Sequence, residues 1–156
     1  MWRNLVLLLI FAGLATTCTL AQNISAEEAA AIKKPALDYI EGWYEGNAAR
    51  MESALHPELA KRSVIVDLAT GHSRLDSMSA MSLVERTRAG GGTKTPKEKQ
   101  QKDVTILDRF NNAAIVKIVA SDWIDYLEEG KINGEWKIIN VLWEIKPDSE
   151  LAKKIK

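Results

Sequence analysis

The dipeptide Asn133-Gly134 lies between two runs rich in apolar and β-branched residues, Ala113 to Ile132 and Glu135 to Ile145. Both central residues of a two-residue hairpin need positive φ, which Asn and Gly adopt most readily, so this pair marks an antiparallel hairpin. Such a turn pairs Ile132 with Glu135. Counting outward sets Lys131 against Trp136, Leu127 against Asn140 and Asp125 against Leu142, unless a bulge intervenes. On that register one face carries Asp125, Leu127, Lys131, Trp136, Ile138 and Asn140, and the other carries Ile124, Tyr126, Ile139, Val141 and Trp143. Both faces are substantially apolar, so each needs cover: one from helices, the other from a second subunit.

Helical signals precede these strands. Ser25 and Glu28 form a capping box, and Ile32, Ala36, Tyr39, Ile40 and Trp43 then recur at the spacing of one helix face. Pro35 falls inside the pattern and predicts a kink, or a loose first turn ahead of a main body starting near Lys34. Gly46 ends this helix, and Asn47 caps a short second one with Met51, Ala54 and Leu55 inward. His56-Pro57 stops it. Ser63 to Ala69 reads as a strand, with Thr70-Gly71-His72 as a turn. Ser79 caps a third helix from about Ala80 to Ala89, and the polar stretch from Gly90 to Asp103 reads as a mobile surface loop. Asp103 to Phe110 is a strand that turns at Asn111-Asn112. Helices first and antiparallel strands last predict an α+β domain.

The N-terminal segment is an address. Arg3 precedes the apolar run Leu5 to Leu14, and small residues lead to Ala21, the pattern of a secretory signal over residues 1–21 cut after Ala21. The run is too short for the ~20 residues that span hydrocarbon. A secreted or periplasmic protein with no stable membrane anchor is therefore expected. Lipid attachment at Cys18 is the minor alternative, because Ala15-Thr16-Thr17 is a poor lipobox. The remainder divides into a single domain over 22–146 and a tail over 147–156. Removal of the signal takes away the chain's one cysteine, which excludes disulfides, thiol catalysis and a multi-cysteine zinc site. Twenty-one basic side chains balance twenty-one acidic ones, so nothing favours a nucleic-acid partner.

Two composite patterns carry a family resemblance. The first is Tyr39-Ile40-x-Gly42-Trp43-Tyr44-x-Gly46-Asn47 followed by Leu55-His56-Pro57-Glu58-Leu59-x-Lys61-Arg62. The second is Ser121-Asp122-x-x-Asp125-Tyr126-Leu127 followed by Gly134-x-Trp136-Lys137-Ile138-x-Asn140-Val141-x-Trp143. From about Ala29 to Glu144 the chain resembles the putative lumazine-binding family of the nuclear transport factor two-like superfamily. The resemblance implies a cone-shaped, cystatin-like domain: N-terminal helices packed in the concave face of a strongly curved antiparallel sheet, with a cavity open at one end. It also implies a homodimer through the outer sheet face, here Tyr126, Ile139, Val141 and Trp143. Ketosteroid isomerases, scytalone dehydratases and polyketide cyclases share the fold, as do members with no known activity, so fold alone does not give function. Isomerase relatives place a general-base aspartate after the second helix. This chain has Lys61-Arg62-Ser63 there, and the isomerase mechanism is not carried over.

Several residues are candidates for chemistry. His56 is either a general base or the residue that ends the second helix. Asp125, on a face expected to be covered, must be paired or hold its proton. Arg62 is its expected partner in a buried ion pair, and the alternative is an acid–base at the cavity wall, with Asp122 in its place if a bulge flips the strand. Tyr39 and Trp43, one helical turn apart, are either plain core or walls for a flat ligand. Trp123 would add surface, and Arg62 and Asn140 would orient polar groups. His56 and His72 have no ligand-spaced acids, so no metal is expected, and no cofactor is implied. Three readings follow: an exported domain binding a small planar or apolar molecule, a cofactor-free lyase, isomerase or cyclase using His56 or Asp125, and a non-catalytic accessory or interaction domain.

Overall fold

Ser25 opens the first helix, α1 (Ala26–Glu45), its Oγ accepting from the Glu28 amide at 3.1 Å as the capping box requires. The computed structural model describes residues 24–67 and 69–155, so the segment 1–21 expected as a secretory signal, Cys18 included, lies outside the described residues. Of the two expected outcomes at Pro35 the separate first turn is not seen: α1 is one helix through Pro35, whose ring is buried. An interior proline forfeits one helical hydrogen bond and costs ~3 kcal/mol. The buried stripe of Ile32, Ala36, Tyr39 and Ile40 on either side supplies the packing that holds the helix together. Among the described residues no helix is long and apolar enough to cross a membrane.

After α2 (Ala48–Ala54), capped by Asn47 as expected, the chain enters β1 (Leu55–Val66), which starts at the second helix rather than at Ser63. The strand β2 (Ser73–Ser79) leads to α3 (Ala80–Arg88), capped by the Ser79 hydroxyl. A run of turns and a short 3-10 helix at Lys97–Lys99 follow. Then come β3 (Lys102–Phe110), β4 (Ala113–Ala120), β5 (Trp123–Ile132) and β6 (Glu135–Ile145). The stretch expected as a tail holds α4 (Glu150–Ile155).

The strands form one curved, open sheet in the order β2-β1-β6-β5-β4-β3, antiparallel throughout except where β1 lies parallel to β6. Helix α1 packs on β3, β4 and β6. The core between them is Ile32, Ala36 and Ile40 from the helix and Val116, Ile118, Leu127, Ile138 and Val141 from the sheet. Fold class and architecture are those expected from the sequence.

The β5–β6 hairpin turns at Asn133 (φ 52) and Gly134 (φ 88), both left-handed as the dipeptide demands. Its register runs as counted, Ile132↔Glu135 to Glu129↔Ile138. There the two strands slip, and Glu128 pairs with Asn140. Ile139 is the extra residue of a bulge, which bends the strand and inverts the facing of everything beyond it. Asp125 and Leu127, on the unbulged strand, keep the inner face as expected and are fully buried. On β6 the assignments after Ile139 exchange: Val141 and Trp143 turn inward, and Asn140 and Leu142 turn outward. Two of the four residues expected at the outer sheet face, Val141 and Trp143, are therefore inside, while Tyr126 and Ile139 remain outside.

Candidate functional site

The C-terminal half of α1 presents Tyr39 and Trp43 one turn apart to the concave side of the sheet. Facing them are Lys61 from β1, Met78 from β2, Trp123 at the start of β5 and Trp143 near the end of β6. Leu83 and Arg86 of α3 and Leu151 of α4 complete a cavity of about 190 Å³. That is below the ~300 Å³ at which drug-sized pockets begin. It suits a molecule of one or two rings. Trp43 and Trp123 meet edge to face, with ring centroids 6.1 Å apart at 87°. A wider groove of about 650 Å³ runs along β1 and β6 under α4, but no buried ionisable group lines it.

An ion pair forms the floor of the aromatic cavity. Lys61, only 5% exposed, donates from Nζ to Asp125 Oδ1 at 2.5 Å and to the Tyr39 hydroxyl at 2.6 Å. Tyr39 donates in turn to the same carboxylate oxygen, at 3.4 Å, and Trp123 Nε1 donates to Oδ2 at 2.6 Å. The Lys61 ammonium also lies over the Trp143 ring, 4.7 Å from its centroid. Burial pushes the Lys61 pKa down, with the Asp125 charge opposing it. Burial and the neighbouring carboxylate hold the Tyr39 hydroxyl well above its ordinary value. Every strong acceptor and donor here has a partner, which is the condition for burying two charges.

The partner expected for Asp125 was Arg62, and this is corrected. Successive residues of a strand point to opposite faces. Lys61 is inside and Arg62 is exposed outside, opposite Leu142 of β6. Asn140 is likewise outside, its Nδ2 donating to Glu128 Oε2 at 2.9 Å, as a consequence of the bulge at Ile139. His56 sits at the start of β1, accepting on Nδ1 from the Glu58 amide at 3.2 Å, and does not line the cavity. His72 is exposed in the β1–β2 loop. Thus Tyr39, Trp43, Trp123 and Asp125 come together, while His56, Arg62 and Asn140 do not join them.

Sequence reasoning missed Lys61 as a site residue, although its parity opposite Arg62 was available. It also treated the glycine run as a mobile loop. Gly92 donates its amide to the Trp43 carbonyl at 2.9 Å, and a Cβ there would stand 2.6 Å from the indole. The glycines form a seat for the cavity wall. A second buried acid was also missed: Glu129, on the inner face of β5 and 2% exposed, whose carboxyl oxygens have no hydrogen-bond partner among the described residues. Burial alone pushes its pKa up to about 8.

Residues 27–144 match the profile of the family described as "Putative lumazine-binding". The chain belongs to that family. Solved structures agree on the fold. An NTF2-like protein of unknown function from Shewanella baltica is 18% identical with a TM-score of 0.62, covering 78% of this chain and 96% of its own. One from Methylobacillus flagellatus is 16% identical with a TM-score of 0.63, at 80% and 96% coverage. A cystatin-like protein from Nostoc punctiforme is 13% identical with a TM-score of 0.53, at 82% and 98% coverage. No curated protein matches the chain.

Proposed function

We propose that this chain is an exported binding domain for a small planar molecule, held in the cavity between Trp43, Trp123 and Trp143. One observation carries the reading: a concave aromatic pocket at whose floor the buried Lys61 charge is already matched by Asp125. Such a floor orients a ligand through the Tyr39 and Lys61 atoms without demanding a counter-ion from it. The family description, which names lumazine binding, supports a small-molecule ligand of some kind. Binding is favoured over acid–base catalysis because Asp125 is committed to Lys61, Tyr39 and Trp123, and His56 is not part of the cavity lining. The sequence pattern of residues 1–21 supports export.

A second copy of the chain is the natural cover for the outer sheet face, where Val64, Leu75, Tyr126 and Leu142 are each at least 43% exposed. Native mass spectrometry of the protein purified from its own host tests the binding reading. A co-purifying small molecule that is absent from Trp43→Ala but retained in an outer-face variant is the expected result. The same mass with or without Trp43, over several preparations, would overturn it.

A further inference from the structure

The cavity is lined by two cations and no carboxylate. Lys61 is neutralised by Asp125 at 2.5 Å. Arg86, at the last turn of α3, is different. Arg50, Arg74, Arg88 and Arg109 each hold a carboxylate within ion-pair distance. Among the described residues Arg86 holds none, and Arg62, which also holds none, stands on the outer face of the sheet. Arg86 therefore places an uncompensated guanidinium at the edge of an otherwise apolar, aromatic hollow. Leu83, one helical turn back, and Leu151 of α4 line the hollow with it, and neither has a side-chain acceptor.

We propose that the ligand is an aromatic acid: its ring system lies against Trp43, Trp123 and Trp143, and its carboxylate pairs with Arg86. This rests on the binding reading above and narrows it. A flat anion answers both halves of the site. The ring replaces water on the indole faces, and the carboxylate gives the planar guanidinium the forked, charge-assisted partner that the protein itself withholds. A neutral ring of the same shape would leave the guanidinium without that partner. A cationic one would set like charges together beside Lys61.

Three isosteric probes decide the matter by isothermal titration calorimetry at pH 7 and low salt: 2-naphthoate, 2-naphthamide and 2-naphthylmethylammonium. The expected result is that the carboxylate binds about fivefold or more tightly than the amide, and that the ammonium compound is weakest. In Arg86→Gln, an exposed position whose melting temperature serves as the check on folding, the carboxylate should fall to the level of the amide. Equal binding of carboxylate and amide, a preference for the ammonium probe, or an anion preference that survives Arg86→Gln would each overturn the assignment of an acid to Arg86. Each of these would still leave a ligand-binding cavity standing. Failure of all three probes would overturn the binding reading together with the proposal.

Discussion

Glu129 offers the sharpest quantitative test of the core. In the unfolded chain its carboxyl titrates near its ordinary value of 4.5, and in the folded protein it keeps its proton to about pH 8. Between those limits unfolding releases a proton, so the stability contributed by this group falls as pH rises. It is intact below pH 4.5, declines by ~1.4 kcal/mol for each pH unit above that, and is fully lost above pH 8. At pH 7 the protein therefore stands about 3 kcal/mol below the value it would have with a carboxyl that stayed neutral in both states. Glu129→Gln provides that reference. Its buried amide still lacks partners, a cost of ~1–3 kcal/mol that does not vary with pH. Urea denaturation of both proteins at pH 5, 6, 7 and 8 should show the difference between them moving by about 3 kcal/mol in favour of the variant. With ordinary denaturant slopes that is a relative midpoint shift of roughly 1–3 M. All other titrating groups are common to both chains and cancel. Two stability profiles that run parallel from pH 5 to pH 8 would refute the burial of Glu129.

The ion pair, the glycine seat and the outer face each carry a prediction of their own. Asp125→Asn strips the countercharge from buried Lys61 and should cost about 3–5 kcal/mol in urea unfolding, whereas Lys61→Met combined with Asp125→Leu should recover most of it. A single-variant loss below about 1 kcal/mol would contradict the buried pair. Gly92→Ala drives a methyl into the Trp43 indole and should destabilise by about 1–3 kcal/mol while shifting tryptophan emission. An unchanged melting curve and spectrum would dismiss the seat. Leu142→Glu should convert a dimer to a monomer in sedimentation velocity, and a wild-type monomer at micromolar concentration would remove the proposed second copy.

Most of the architecture is legible in local chemistry. Ser25, Asn47 and Ser79 announce their helices because a side-chain oxygen before an apolar-periodic run has an obvious amide to satisfy. Asn133-Gly134 fixes a hairpin because few other pairs accept its backbone. What escapes is anything decided by a single insertion or by distant packing. The Ile139 bulge leaves no mark in composition, yet it moves Val141 and Trp143 inside and Asn140 out. Lys61 was passed over in favour of Arg62, its neighbour in the same segment; strand parity chose the lysine instead. Gly92 looked like part of a mobile surface loop because the residue it accommodates, Trp43, lies far back in the sequence. Pro35 looked like a break because helix propensity is local, while the core that overrides it is assembled by strands not yet reached.

The parallel contact between β1 and β6 has a consequence for how the chain is made. Lys61 must wait for Asp125, 64 residues later, and its own strand lies beside the last strand, which begins only at Glu135. Such distant closure bears its entropic cost before any contact repays it. A nascent polypeptide that has emerged only as far as β5 lacks the neighbour against which β1 docks, so its lysine and indoles stay wet. The hollow is thus finished in one late step, by the arrival of the final strand. A chain built this way keeps its first strand pliable until synthesis is nearly complete.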